Sequence, residues 1–425
     1  MKLSTLSLTH YRGARSLTWD FSDRLNVFYG VNGSGKSTIL DAVALMLSWA
    51  ATRIRSTGGS GRPIQESDIT NGKSYSSIGL CCDWENESVE WTLSRARKGH
   101  GIPPEPSNMK ALNDVGRLIQ EGISLSQEKV DLPLFVHYPV TRTVLDIPLR
   151  IRGSHRFGLL TVYDKALTGD ANFRTFFEWF REEEDLENED GRYTHSIFKQ
   201  EGFSFSNPKL SAVRKALGRF LPDFKNLSVR RSPLRMQVEK NGKPLTVNQL
   251  SDGEKCLIAL VGDLARRLAI ANPVRNNPLE GEGIVLIDEI DLHLHPKWQR
   301  MIVPKLMEVF PHCQFILSTH SPHVITHVHP ENLAVLRQTD TGMVAERPLE
   351  SYGKTVERIL EDLMGLSTTR PDEISQEFME IYDKIASFEF PEAREKIAKM
   401  RERIGEDPDL VKAEVLIKRK EIIGK

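Results

Sequence analysis

Apolar positions along this chain fall into short blocks, and the spacing within each block predicts its element. Residues 24–29, 132–138 and 314–319 are brief apolar runs with strand character. Residues 283–287 (GIVLI) are of the kind that fills a central parallel strand covered on both faces. Residues 1–8 and 17–21 read as strands around a turn at 9–14, and 76–84 with 88–94 as an antiparallel hairpin. Further strand signals at 224–231 and 234–240 are followed by the turn pair Asn241-Gly242. Helical spacing marks 37–47 and 256–271, the latter stopped by Asn272-Pro273. After residue 346 helices dominate, at 355–364, 372–386, 391–404 and 410–425, the last of them basic. Phe173, Phe176, Phe177 and Phe180 share one helical face, which packing explains better than base stacking.

Composition narrows the classes. At 425 residues the chain exceeds one ordinary core. A net charge of −1 with a pI near 6.9 provides no global field toward nucleic acid. Direct DNA contact would need local clusters such as Arg150, Arg152, Arg156 or Arg230, Arg231, Arg235. The acidic run from Glu182 to Asp185, with Glu187, Glu189 and Asp190, reads as a solvated helix end that would repel DNA. Cys81, Cys82, Cys256 and Cys313 lack C-x-x-C spacing, so neither a disulfide framework nor a zinc knuckle is expected. No uninterrupted apolar stretch approaches the length of a membrane span, so a cytoplasmic protein without membrane contact is expected.

The strand at 24–29 and the helix at 37–47 enclose GVNGSGKST, residues 30–38, a full match to G-x-x-x-x-G-K-[ST]. Glycines let the backbone curl so that N–H groups of Asn32, Gly33, Ser34, Gly35, Lys36, Ser37 and Thr38 face one anion. The helix N-terminus adds its partial positive charge. Lys36 would reach the β- and γ-phosphates and the Ser37 hydroxyl would ligate Mg²⁺, so ATP and Mg²⁺ are the expected cofactors. Far downstream, the strand at 283–287 ends in Asp288 and Glu289. Asp288 suits a Mg²⁺ ligand acting through water, and Glu289 a base that polarises the attacking water. Between these halves lies LSDGEK, residues 250–255. Ser251 and Glu254 have capping-box spacing, which alone could explain both. A capped helix end with Gly253 leaving room is also an anion site.

In this order the motifs resemble ABC-type ATPases of the SMC/RecF/OLD branch. The resemblance implies an α/β P-loop head, a mixed sheet flanked by helices, with a compact α-rich insertion and a helical C-terminal region. It makes LSDGEK the signature, with Ser251 and Gly253 capping the γ-phosphate held by a second subunit. IDLHLHP (290–296) becomes the D-loop with Asp291 in the family's aspartate position, and QFILSTHSP (314–322) ends in the switch residue His320. Gln65 in RPIQESD would take the Q-loop role toward Mg²⁺ and water, and Arg12 would sit by the nucleotide. Ser37 and Ser251 are 214 residues apart, too few for an SMC-length coiled coil, and no heptads are sustained. The implied organisation is a head lobe at 1–140, an insertion or lid at 141–245 ending in a hairpin, and a second head lobe at 246–345. A helical partner or oligomerisation region follows at 346–425.

EIDLHLHPKWQ, FPHCQFILSTHSP and the tail segments SYGKTVERILEDLMGLSTTRPDEI and IGEDPDLVKAEVLIKRKEIIG look like the ATPase subunit of Septu-type antiphage systems, also used in some retron systems. That resemblance implies a head-to-head homo-oligomer and an HNH nuclease partner. In a retron setting it adds a reverse transcriptase with its RNA and DNA. A RecF-like ATPase acting on DNA and a nucleotide-sensing scaffold with little turnover are the alternatives. His293, His295, His320, His323, His327 and His329 crowd this region, but no Cys or acid completes a zinc pattern, so they are read as loop histidines. Asp407-Pro-Asp409 precedes a helix and is read as capping rather than as a nuclease centre.

Overall fold

The computed structural model describes residues 1–141, 157–168, 173–197 and 207–424, and Arg150, Arg152 and Arg156 lie outside them. β1 (Lys2–Tyr11) and β2 (Ala14–Asp20) pair antiparallel across a turn at Arg12-Gly13. The loop expected at 9–14 is therefore mostly strand, since Thr9 still pairs with Ser16 and Tyr11 with Ala14. β3 (Leu25–Tyr29) runs through the phosphate-binding loop into α1 (Lys36–Arg55). β4 (Tyr75–Trp84) and β5 (Glu87–Ala96) form the expected hairpin and complete a four-stranded antiparallel sheet, β2-β1-β4-β5. α2 (Lys110–Leu125) and β6 (Leu134–Tyr138) follow.

α3 (Phe173–Ile197) and α4 (Pro208–Phe220) lead to a three-stranded antiparallel sheet of β7 (Phe224–Arg231), β8 (Leu234–Lys240) and β9 (Lys243–Thr246). β9 is not legible in the sequence because it has only four residues, one of them Pro244. Asn241 and Gly242, both at positive φ, join β8 to β9. α5 (Asp252–Ala271), β10 (Gly283–Ile287), α6 (Pro296–Val309), β11 (Cys313–Thr319), α7 (Pro322–Ile325), β12 (Leu333–Thr339) and β13 (Gly342–Glu346) complete the body.

The second sheet has the order β13-β12-β3-β11-β10-β6, parallel except at its antiparallel edge strand β13. β3, β6, β10 and β11 are buried at every position, as expected of mainly apolar central strands; only β10 is apolar throughout, and Asn26, His137, Gln314, Ser318 and Thr319 are polar residues buried in the other three. α1 lies between the two sheets, touching β4 on one side and β6, β10 and β11 on the other. It alone among the described helices has the length and apolarity to cross a membrane, yet 67% of that window is buried in the head.

The region expected as a lid is built into the same unit as the head. α4 packs along α5, and α3 packs on both. Phe176, Phe177, Trp179 and Phe180 are fully buried, and a Cβ at Gly262 of α5 would come within 2.8 Å of the Phe176 ring. The acidic run is only partly solvated: Glu182, Asp185 and Glu189 are exposed, whereas Glu183 and Glu184 are buried. It lies inside α3, where Glu184 accepts from the Val229 N–H at 3.1 Å and from Arg231 at 2.6 Å. Glu187 pairs with Arg214 at 2.9 Å, and Glu183 accepts from Asn207 at 2.7 Å. Burying this face of α3 forces its carboxylates onto the cations of α4 and β7. Arg231 is therefore engaged within the fold rather than presented to a phosphate backbone.

Met1–Val356 forms one compact unit and Glu357–Lys425 a second. The division falls after the expected 346 because the segment beyond β13 still packs on the head. Ser351 donates to the Val328 carbonyl at 2.6 Å, and Tyr352 stacks on His329. α8 (Val356–Arg358) runs on into a π-turn at Ile359–Leu363. In the second unit α9 (Asp372–Ala386), α10 (Phe390–Ile404) and α11 (Pro408–Ile423) enclose Phe378, Ile381, Ile385, Ile397, Met400 and Leu410. Asp407 caps α11, accepting from the Asp409 N–H at 2.9 Å, and Arg370 bridges both carboxylates.

Candidate nucleotide site

Strand order brings together residues that the sequence keeps far apart. β11 lies between β3 and β10, with Thr319 opposite Tyr29 and Leu317 opposite Ile287. Gly30, His320 and Asp288 therefore leave the same carboxyl edge of the sheet, with strands about 5 Å apart.

The loop after β3 tolerates only glycine at two of its positions. Gly35 has φ +104°, and a Cβ there would lie 2.0 Å from the Met343 sulfur. A Cβ at Gly30 would meet the Leu336 carbonyl oxygen at 2.4 Å. Lys36 opens α1 and is 6% exposed; its Nζ donates to the Gly30 and Val31 carbonyls at 2.9 and 3.2 Å. Burial lowers the Lys36 pKa, and the carboxylates of Asp288, Glu289 and Asp291 oppose that shift. The Ser34 hydroxyl is buried without a hydrogen-bond partner, and no side chain caps α1. Asn32, Gly33 and Ser37 are exposed, and Thr38 is half-buried. An open helix N-terminus, an orphaned hydroxyl and a lysine folded over its own loop fit a polyphosphate.

The acidic half is held by the neighbouring strand. The Asp288 N–H donates to the Tyr138 carbonyl at 2.9 Å, and its Oδ1 accepts from the Ser318 hydroxyl. The same hydroxyl oxygen accepts the Glu289 N–H at 2.8 Å. Glu289 has φ +47°, in the left-handed region, so the chain turns sharply out of β10 at this residue. Asp291 accepts from the Thr319 hydroxyl and from the His320 N–H at 3.3 Å. Gln299 of α6 accepts from the Ser321 hydroxyl and donates to the Leu294 carbonyl, each at 2.8 Å. Residues 318–321 thus brace the segment from Asp288 to Leu294.

Ser251 caps α5, and the reciprocal box with Glu254 is formed. Gly253 lies against the D-loop, where a Cβ would come 2.7 Å from the His293 carbonyl oxygen and 3.0 Å from the Trp298 ring. None of the Ser251 hydrogen bonds reaches the phosphate-binding loop. Further along α5, Asp263 is fully buried between Arg266 and Arg267 and accepts from the Tyr138 hydroxyl at 3.0 Å. Burial would raise its pKa, but Arg267 and Arg266 hold the carboxyl far below the ordinary range.

Arg12 lies on the flank of α1, bonded to Asp41 at 2.6 Å and to Asp68 at 2.9 Å. Gln65 opens the one-turn 3₁₀ helix Glu66–Asp68; its exposed side chain donates to the Pro63 carbonyl at 3.4 Å. Arg12 therefore ties the α1 flank to the Gln65 segment through two carboxylates. Among the histidines, His295 caps α6 through Nδ1, and His327 bonds Thr326. Sequence reading did not assign Ser318, Thr319, Tyr138, Asp263 or Gln299. The letters STHS follow an apolar strand, but which carboxylates those hydroxyls meet depends on the β10–β11 register.

These features define a P-loop ATPase head of the ABC type. Residues 101–326 match the family model described as AAA domain, putative AbiEii toxin, Type IV TA system, and residues 1–90 match AAA ATPase domain. The chain is 31% identical to the Retron Ec83 probable ATPase of Escherichia coli, covering 96% of this chain and 85% of that protein. It is 34% identical to the Retron Vc95 probable ATPase of Vibrio cholerae serotype O1 biovar El Tor, over 80% of this chain and 74% of that one. It is 26% identical to the Septu protein PtuA of Bacillus thuringiensis, over 87% and 85% respectively. The SMC head domain from Thermotoga maritima aligns with a TM-score of 0.46 at 15% identity, over 82% of this chain and 100% of that chain. The chain belongs to the family of the retron probable ATPases, a defence-linked group, and is an ATPase.

Proposed function

We propose that this ATPase is the nucleotide-driven switch of a defence complex. Two heads close on ATP, Ser251 of each completes the other's site, and the closed state controls a separate HNH nuclease. In a retron setting a reverse transcriptase with its RNA and DNA would join the assembly. The observation that carries the reading is a divided site. Lys36, Asp288, Glu289 and His320 leave one edge of the sheet, whereas the hydrogen bonds of Ser251 stay within its own helix turn. Ser37 and Asp288 are the residues that would hold Mg²⁺, which supplies charge neutralisation at the phosphates. Lys36 leaves its loop carbonyls for the β- and γ-phosphate oxygens. Glu289, held at its backbone by Ser318, takes the proton of the attacking water, and His320 contacts the γ-phosphate. Arg12 serves this site as a strut between the α1 flank and the Gln65 segment, and Gln65 takes the Q-loop role toward Mg²⁺ and water.

Complementation tests the divided site. Lys36→Ala and Ser251→Arg subunits each hydrolyse ATP at background rates. Mixed equally, half the dimers pair unlike subunits and hold one intact composite site of two, so activity returns to roughly a quarter of wild type. A mixture as inactive as its components refutes assembly through Ser251. The DNA-loading alternative predicts tight, steeply salt-dependent DNA binding by the chain alone, and the internal pairing of Arg231 argues against it.

A further inference from the structure

The signature turn carries two acids, Asp252 and Glu254, at the place where a phosphate would have to approach. Asp252 is 83% exposed and paired with Lys255, so solvent screens it. Glu254 is 7% exposed, and its Oε2 accepts both the N–H and the hydroxyl of Ser251, at 3.0 and 2.9 Å. The other oxygen, Oε1, accepts from the Lys240 ammonium at 2.5 Å. Lys240 is the last residue of β8, and its Nζ also stands 5.6 Å from the centre of the Phe224 ring on β7. A buried anion thus sits one hydrogen bond from Ser251, and its cation is delivered by a different element.

We infer that Lys240 is a positioning residue for the signature. It is the counter-charge by which the β7–β9 sheet neutralises Glu254 and keeps the Ser251 turn receptive to the γ-phosphate of a second copy. The role rests on the assembly reading above. Helix N–H groups attract an anion, but an uncompensated carboxylate within the same turn repels it. The capping box needs an acceptor at position 254, and this sequence supplies it as a carboxylate, which brings a negative charge into the turn. A lysine from outside the helix cancels the charge and leaves the acceptor in place. Through it, any displacement of β8 changes the electrostatics that the second subunit's nucleotide meets.

The test uses full-length protein in a Glu289→Gln background, with assembly followed by light scattering against Mg·ATP concentration. Lys240→Met keeps the aliphatic stem and removes the charge. It should raise the ATP concentration for half-assembly by about tenfold or more, since the lost attraction acts on a multiply charged phosphate. Binding of a fluorescent ATP analogue to dilute, unassembled subunits should change by less than about twofold, because Lys36 and its loop are untouched. Lys240→Arg should restore assembly. The double variant Lys240→Met with Glu254→Gln should recover most of it, since Gln still accepts from Ser251 and carries no charge. A Lys240→Met protein that assembles like its parent overturns the inference. So does a double variant that melts like the single one and assembles no better. A parent that fails to assemble at any ATP concentration overturns the assembly reading itself, and the role of Lys240 with it.

Discussion

Replacing Ser318 by Ala removes one buried hydroxyl that bonds to both Asp288 and Glu289. Ser318 is 0% exposed, donates to Asp288 and accepts from the Glu289 N–H at 2.8 Å. Hydrogen bonds to charged groups contribute about 1.5–3 kcal/mol, and withdrawing a partner from a buried N–H costs about 1–3 kcal/mol. The two effects share one atom and are not additive. The expected loss of head stability is therefore about 2–4 kcal/mol. Function should change in a particular way. Glu289 holds φ +47°, a conformation that costs a non-glycine residue about 1–2 kcal/mol. The Ser318 oxygen is the acceptor that helps pin it there. Without it the turn relaxes and the Glu289 carboxylate shifts, while the phosphate-binding loop on β3 stays as it was. In steady-state hydrolysis at saturating Mg·ATP, kcat should fall by about tenfold or more, and KM should change by less than about threefold. Thermal melting of the same protein reports the stability loss. A Ser318→Ala enzyme with near wild-type melting and kcat refutes the view that this hydroxyl positions the acidic pair. A fall in kcat/KM that resides in KM would instead assign Ser318 to nucleotide binding.

Three further outcomes follow from the geometry. Gly35→Ala would place a side chain at φ +104° and 2.0 Å from the Met343 sulfur, a backbone strain of about 1–3 kcal/mol, and equilibrium ATP binding should weaken by at least about tenfold. Asp263→Asn would leave Arg266 and Arg267 buried without their counter-charge; loss of one partner in such a site costs about 3–5 kcal/mol, to be read from thermal unfolding. The Glu254 carboxyl, which burial would raise, is held below its ordinary value of 4.5 by Lys240 and Ser251. A depressed folded pKa stabilises the protein above the unfolded value and loses that contribution as pH falls through the folded one. The melting difference between wild type and Glu254→Gln should therefore be full near neutrality and shrink below about pH 4.5, and a difference that grows in acid would contradict the assignment.

The sequence by itself determined the elements whose physics is local. GVNGSGKST must curl because Gly35 has a conformation that other residues resist, and Asp288 and Glu289 end a strand whose apolar run requires burial on both faces. The helices after residue 372 were legible from periodicity, and Asp407 from its capping position. The sequence misread features whose meaning depends on what lies opposite. The whole acidic run looked solvated because spacing cannot show that α3 turns Glu184 and Glu187 toward Arg231 and Arg214 while Glu182 and Glu189 stay exposed. Arg231 looked available for the same reason. Only the tertiary structure decided that Ser318 and Thr319 hold Asp288 and Asp291, because those contacts come from the register of two strands distant in sequence order from β3, which completes the site. It also decided that Lys240 answers the charge of Glu254. Side-chain pairing across elements is a product of packing, and packing is not written in the order of residues along the chain.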